Sequence, residues 1–451
     1  MPPTLPSRPS LTSLAARYRQ GELDPADVTE AYLADLAPGD VLRLVTADRA
    51  RAQAAAASRR WRRGSLRGPL DGVPIVIKDL LDTAGDVTGA GSPALFGAAP
   101  AAVDAPVAAR LDAAGAVFLG KSTMTELAFS GLGLNPHTGT PGNACDAARV
   151  PGGSSSGSAV AVARGLALAA VGSDTGGSVR IPAAFNGLVG LKTTDGSIPT
   201  DGAVPLSTTL DTLGPIARDA ADAWVLWRAM AALPVAPPAV AERPGRFWAP
   251  PTVWCEGLDD GVRARFEGAL TALRDAGHEV FLEPFDELLE LDGLYARYGS
   301  FAAHEAWALH EALLEQHGHR MDARVVDRIR AVAARPASDY LRLGYARERL
   351  RRAAWARTTG FDALLAPTVR ITPPAIAALE GDDAAYVAAN AQVLRNTTLG
   401  NLLGGPVASV PIGLDASGMP VGLMIATAPG EDAAALAWAA AVERLGLHPG
   451  R

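Results

Sequence analysis

The chain has 451 residues with 41 Lys plus Arg against 48 Asp plus Glu, a net charge of −7, so no global basic field exists to hold nucleic acid. Apolar residues make up 48% and charged residues 20%, the balance of a soluble globular protein with a large core. Two cysteines, Cys145 and Cys255, lie in no metal-ligand spacing and allow no disulfide framework beyond one pair, which points to a reducing, cytoplasmic setting.

Residues 1–10 are rich in proline and lack the apolar stretch of a secretory leader. Residues 11–63 read as amphipathic helix, so an N-terminal helical segment is expected over 1–65. Its cluster Arg59-Arg60-Trp61-Arg62-Arg63 reads as a solvated helix face. From 70 to about 220, short apolar runs alternate with small-residue helical spacing. Strands are predicted at 73–77, 116–119 and 168–171, with helical segments at 107–115 and 158–165. This alternation predicts an α/β fold, a sheet covered by helices. The longest apolar stretch, 159–171, is broken by Arg164 and Gly165 and is too short to span a bilayer. Residues 234–252 read as a Pro/Ala-rich connection and 259–358 as arginine-rich helix. Strands return at 364–367 and 407–412, and 429–446 is one more helix. The expected organisation is one domain over 66–450 with a helical insertion at about 240–360.

Lysine is scarce: three of the 41 basic residues are lysines, Lys78, Lys121 and Lys192, which leaves 38 arginines. A lysine retained against that bias is a candidate for a task arginine cannot perform. Releasing a proton is such a task, because guanidinium stays charged while a buried ammonium can be neutralised. Lys78 ends the run Val73-Pro74-Ile75-Val76-Ile77, at the predicted end of a buried strand, where it would be desolvated.

Two glycine-serine loops flank the strand at 168–171. Pro151-Gly152-Gly153-Ser154-Ser155-Ser156-Gly157-Ser158 runs straight into an Ala/Val helix, so it is anchored at a helix start, where unpaired N–H groups favour negative charge. In the second, Gly172-Ser173-Asp174-Thr175-Gly176-Gly177-Ser178-Val179-Arg180, consecutive glycines let the backbone aim its N–H groups at one point. The N–H groups of Thr175, Gly176, Gly177 and Ser178 could form an oxyanion hole, with Ser178 as nucleophile. A serine hydroxyl needs a base. The seven histidines stand in no triad context, and only His137 falls near these loops. A neutral Lys78 could take the proton instead, through Ser154, which makes a Ser–Ser–Lys device.

These loops, with Gly72-Val73-Pro74-Ile75-Val76-Ile77-Lys78-Asp79 upstream, resemble the amidase signature family. Gly187-Leu188-Val189-Gly190-Leu191-Lys192-Thr193, Leu210-Asp211-Thr212-Leu213-Gly214-Pro215, Ser409-Val410-Pro411-Ile412-Gly413 and Met419-Pro420-Val421-Gly422-Leu423 fit it as well. The resemblance covers about 10–445 and is weakest over 240–360. It implies a large, mixed, twisted sheet covered on both faces by helices. It also implies hydrolysis of carboxylic amides through a serine acyl-enzyme, with carbamates and esters as further substrates. Residue by residue, Lys78 resembles the family base, Ser154 the bridging serine and Ser178 the acylated nucleophile. The bridging serine follows a cis peptide in the family, which here is Gly153–Ser154. The resemblance further implies that Ser155, Asp174 and Arg180 brace the loops and that Ala128, Phe129 and Ser130 lie on the acyl side of the pocket. It calls for no metal and no organic cofactor.

Gly115-Ala116-Val117-Phe118-Leu119-Gly120-Lys121-Ser122 satisfies the phosphate-loop pattern, but its variable positions are the predicted strand itself, so phosphate binding is rejected. The alternative function is the glutaminase subunit of a tRNA-dependent amidotransferase, which shares the signature and works with partner chains. The favoured partner is a small amide or carbamate, with no nucleic acid and no membrane, and the chain is expected as a monomer or homodimer. Met124, Leu127, Phe129, Leu132 and Leu134 favour an apolar or aromatic group in the substrate. The arginines of 297–357 could line a pocket, and a solvated helix face is the favoured reading for them.

Overall fold

The structure, a computed structural model, describes residues 9–448. The expectations for residues 1–8, 449 and 450 lie outside the described residues. Eleven strands make one mixed sheet. They are β1 (Leu42–Val45), β2 (Pro74–Lys78), β3 (Val117–Ser122), β4 (Ala169–Asp174), β5 (Val189–Lys192), β6 (Thr212–Ala217), β7 (Arg246–Trp248), β8 (Glu279–Phe281), β9 (Ala363–Pro367), β10 (Val407–Leu414) and β11 (Pro420–Ala426). The spatial order is β1-β3-β2-β4-β6-β5-β10-β11-β9-β7-β8.

β3, β2 and β4 are parallel neighbours, buried at every position. Strands buried on both sides read as unbroken apolar runs, which is why Pro74-Ile75-Val76-Ile77 shows no alternation. The centre of the sheet is antiparallel, from β4 through β6, β5 and β10 to β11. Helices supply the cover. Ser156–Ala163 packs on β2, β3, β4 and β6, and Arg180–Phe185 packs on β5, β10 and β11. Ala220–Met230 and Asp432–Glu443 pack on each other, the first also on β4, β5 and β6 and the second on β10 and β11.

Two expectations need correction. The stretch 11–63, read as helical, contains β1, which pairs antiparallel with β3. The span 240–360 holds β7 and β8 as well as helices. Strands of three or four residues are too short to show a period, so they leave no signal in the sequence. Its helices are not detached from the sheet: Phe301, Leu343 and Leu350 share a core cluster with Leu364, Val407 and Met424. No helix among the described residues is long and apolar enough to cross a membrane.

Ile77 of β2 stands opposite Val171 of β4 in parallel register. The carboxyl ends of these two strands therefore emerge side by side, bringing Lys78 next to Ser173 and Asp174. In α/β sheets ligands bind beyond such ends. Antiparallel pairing of β4 with β6 sets Thr212 opposite Asp174 and so brings Asp211 to the same place.

Candidate active site

All three lysines are buried, with 0%, 1% and 0% of the surface of Lys78, Lys121 and Lys192 exposed. Their partners differ. Lys192 Nζ meets Asp195 Oδ1 at 3.0 Å and the carbonyls of Thr193 and Gly405. Lys121 Nζ donates to Thr88 Oγ1 and the Val87 carbonyl and lies 3.6 Å from Asp79. Lys78 Nζ instead donates to two hydroxyls, Ser154 Oγ at 2.7 Å and Ser173 Oγ at 2.8 Å. Burial without a contacting carboxylate pushes its pKa down to about 7, although Asp174 and Asp211 pull the other way.

The loop before the helix Ser156–Ala163 presents Ser154. The Gly153–Ser154 peptide is cis. Gly157 lets this helix start press against the chain: a Cβ there would lie 2.3 Å from the Val41 carbonyl and 2.5 Å from Thr123 Oγ1. The Ser155 N–H donates to the Ser178 carbonyl at 3.2 Å, which ties the two loops together.

The second loop turns at the end of β4 around the buried pair of Asp174 and Arg180. Arg180 Nε meets Asp174 Oδ2 at 3.0 Å and Nη2 meets Oδ1 at 2.9 Å. The carboxylate also accepts from Asn401 Nδ2 and from the N–H groups of Gly177 and Val179. Arg180 and Asn401 hold its pKa far below the usual carboxylate range, against the burial that raises it. Gly177 has φ +130°, and a Cβ there would sit 2.2 Å from Thr397 Oγ1. Its N–H donates to Asp174 Oδ1 at 2.9 Å, which corrects the expectation that Gly177 is one of four oxyanion donors. The N–H groups of Thr175, Gly176 and Ser178 have no acceptor among the described residues. Thr175 Oγ1 donates to Asp211 Oδ1 at 2.5 Å, and burial raises Asp211 to about 6.

A cavity of about 280 Å³ opens beside this turn, just below the usual range for small-molecule sites. Thr175, Gly176 and Ser178 form part of its wall together with Ala128, Phe129 and Ser130. Most of the rest is apolar, including Leu206, Leu210, Leu394, Leu399 and Leu402. Ser130 Oγ is held by Tyr386 Oη at 2.7 Å and donates to Asn390 Oδ1 at 3.1 Å. Among the described residues no cluster of His, Cys, Asp or Glu could hold a metal ion.

Lys78, Ser154, Ser155, Asp174, Ser178 and Arg180 thus come together from separate parts of the chain. Ser173 escaped notice although it stands inside the second loop. Thr397 and Asn401, from the helix Asp383–Leu403, left no motif. One expectation about arginines is corrected. Arg328, in the segment read as a solvated face, lines the cavity. A signal was available: Arg328 follows the apolar Val325 by three residues, which sets it beside the apolar stripe of its helix.

The Amidase family model matches residues 27–436. The 2-amino-5-chloromuconic acid deaminase of Comamonas testosteroni is 36% identical over 448 residues, 97% of this chain and 96% of the relative. A glutamyl-tRNA(Gln) amidotransferase subunit from Anaeromyxobacter dehalogenans is 35% identical, over 94% of this chain and 93% of its own length. An amidase crystal structure superposes with a TM-score of 0.86 at 33% identity, covering 97% of this chain and 99% of that one. With the family match spanning nearly all of its sheet and both serine loops, the chain belongs to the amidase family of hydrolases.

Proposed function

We propose that the protein hydrolyses small carboxylic amides by a Ser178 acyl-enzyme, with Lys78 as base and Ser154 as the proton bridge. The observation that carries this is the environment of Lys78: among the described residues it alone of the three lysines has hydroxyls as its only hydrogen-bond partners. A pKa of about 7 leaves a large neutral fraction at physiological pH, as a general base requires. Ser154 takes the proton of Ser178 as Lys78 accepts its own. Ser178 attacks the carbonyl, and the N–H groups of Thr175, Gly176 and Ser178 receive the oxyanion. Removing one such donor costs about 2.7–4 kcal/mol in other enzymes. Ser154 then returns the proton to the departing amine, and water releases the acid. Carbamates and esters pass through the same tetrahedral chemistry and belong to the same proposal. So does action in the cytoplasm as a monomer or homodimer.

The test is turnover of matched aryl amide, carbamate and ester substrates beside Ser178→Ala and Lys78→Ala. Turnover lost in both variants, with folding intact, supports the assignment; turnover surviving Ser178→Ala sinks it. The second reading, the glutaminase component of a tRNA-dependent amidotransferase, is favoured by the amidotransferase relative at 35% identity. Co-purification of the native protein with partner chains, and glutaminase activity that depends on them, would select it.

A further inference from the structure

The helix Ala323–Arg330 carries three arginines, of which Arg328 lines the cavity, and Arg324 one turn before it is treated differently. Arg324 Nη2 is neutralised by Asp322 Oδ2 at 2.8 Å. Arg328 has no carboxylate within ion-pair distance among the described residues. It is fixed in place without being neutralised: Nη1 donates to the Phe129 carbonyl at 2.9 Å, and the guanidinium lies 4.2 Å over the Phe129 ring. A guanidinium carries five N–H donors, so one carbonyl leaves most of them unused. The cavity wall contains Arg395 as a second cation and no Asp or Glu. Burial lowers the pKa of Arg328 and of Arg395. Charge held in a small apolar cavity is costly unless something of opposite sign joins it.

We infer that Arg328 is the anchor for a carboxylate carried on the acyl part of the substrate, so the preferred substrates are small amides of dicarboxylic acids. The inference rests on the amide-hydrolase reading and adds the substrate class. Arginine suits the task because its planar fork matches a carboxylate in two parallel hydrogen bonds. Phe129 stacks on the cation from the other side and keeps the fork from swinging away.

The experiment uses two matched pairs, 4-carbamoylbenzoate with benzamide and succinamate with butyramide. Binding is measured by calorimetry and hydrolysis by ammonia release, for the wild-type protein, Arg328→Gln, Arg328→Lys and Ser178→Ala. We expect the wild type to bind the carboxylated member of at least one pair about 10- to 100-fold more tightly, the range of a charge-assisted hydrogen bond. Arg328→Gln brings that preference close to one by raising KM for the carboxylated amide about 10- to 100-fold more than for its neutral partner. Arg328→Lys retains part of the preference. No preference in the wild type overturns the anchor. So does equal weakening of both members of a pair in both Arg328 variants, which is the mark of a merely structural arginine. Failure of the hydrolase reading looks different: binding keeps its carboxylate preference while ammonia release is absent or survives Ser178→Ala.

Discussion

At Lys78 an ammonium is stripped of water and handed two hydroxyls in place of a carboxylate, and this choice of partners sets its acidity. Asp195 keeps Lys192 in an ion pair and Asp79 lies near Lys121, whereas Lys78 must rely on Ser154 and Ser173. The amine therefore gives up its proton near pH 7, which an arginine in the same place could not do. The folded-state pKa lies below the ordinary lysine value, so the neutral form gains as pH rises through about 7. The pH profile of kcat/KM should accordingly climb through about 7 and then level off. Lys78→Ala should lose about 10²- to 10⁴-fold and flatten the climb. Initial rates between pH 5 and 9 decide the point, and an unchanged inflection in Lys78→Ala would assign it to another group. Lys78 was legible in the sequence because lysine is rare here and because it ends an apolar run. Ser173 was not, since a lone serine at a strand end carries no pattern of its own.

The turn from Asp174 to Arg180 shows how one element is held by several others. Its carboxylate gathers the Arg180 guanidinium, Asn401 and three backbone N–H groups, while Thr397 Oγ1 donates to the Gly176 carbonyl at 2.6 Å. Gly177 fits because it has no Cβ to strike Thr397 and tolerates its positive φ. Gly177→Ala should push the turn away from Thr397. We expect a fall in kcat of about 10²-fold or more, the cost of losing an aligned oxyanion donor. Far-ultraviolet circular dichroism should stay close to that of the wild type. Thr397→Ala should not restore the rate in the double variant, because Thr397 Cβ at 2.5 Å and Ile181 Cδ1 at 2.6 Å face the same added Cβ; a kcat for Gly177→Ala close to that of the wild type would refute the steric account. The glycine-serine loops declared this turn in advance because two adjacent glycines followed a strand. The helix Asp383–Leu403 gave no such notice: Thr397 and Asn401 look like any polar residues on a long helix until folding brings them to Asp174 and Gly176.

For the whole molecule, the sequence suggested a sheet interrupted by a helical middle, and the packing shows how firmly the middle is attached. Phe301, Leu343 and Leu350 are buried with strand residues Leu364, Val407 and Met424, and β7 and β8 extend the same sheet. A shared core of this kind couples the parts. Calorimetric unfolding should give a single transition whose calorimetric enthalpy matches the van't Hoff value. Two resolved transitions would mean that 240–360 unfolds as a separate unit. The α/β character was readable from strand-helix alternation, whereas the order of the strands was not, because pairings such as β5 with β10 join segments far apart in the chain. That distance has a consequence for the birth of the protein. The ribosome delivers Lys78, Ser154 and Ser178 more than 200 residues before Thr397 and Asn401, the side chains that pin the turn around Ser178. On the proposed mechanism, a nascent chain stays chemically silent until the helix Asp383–Leu403 has emerged, because only then can the turn that carries Ser178 be pinned.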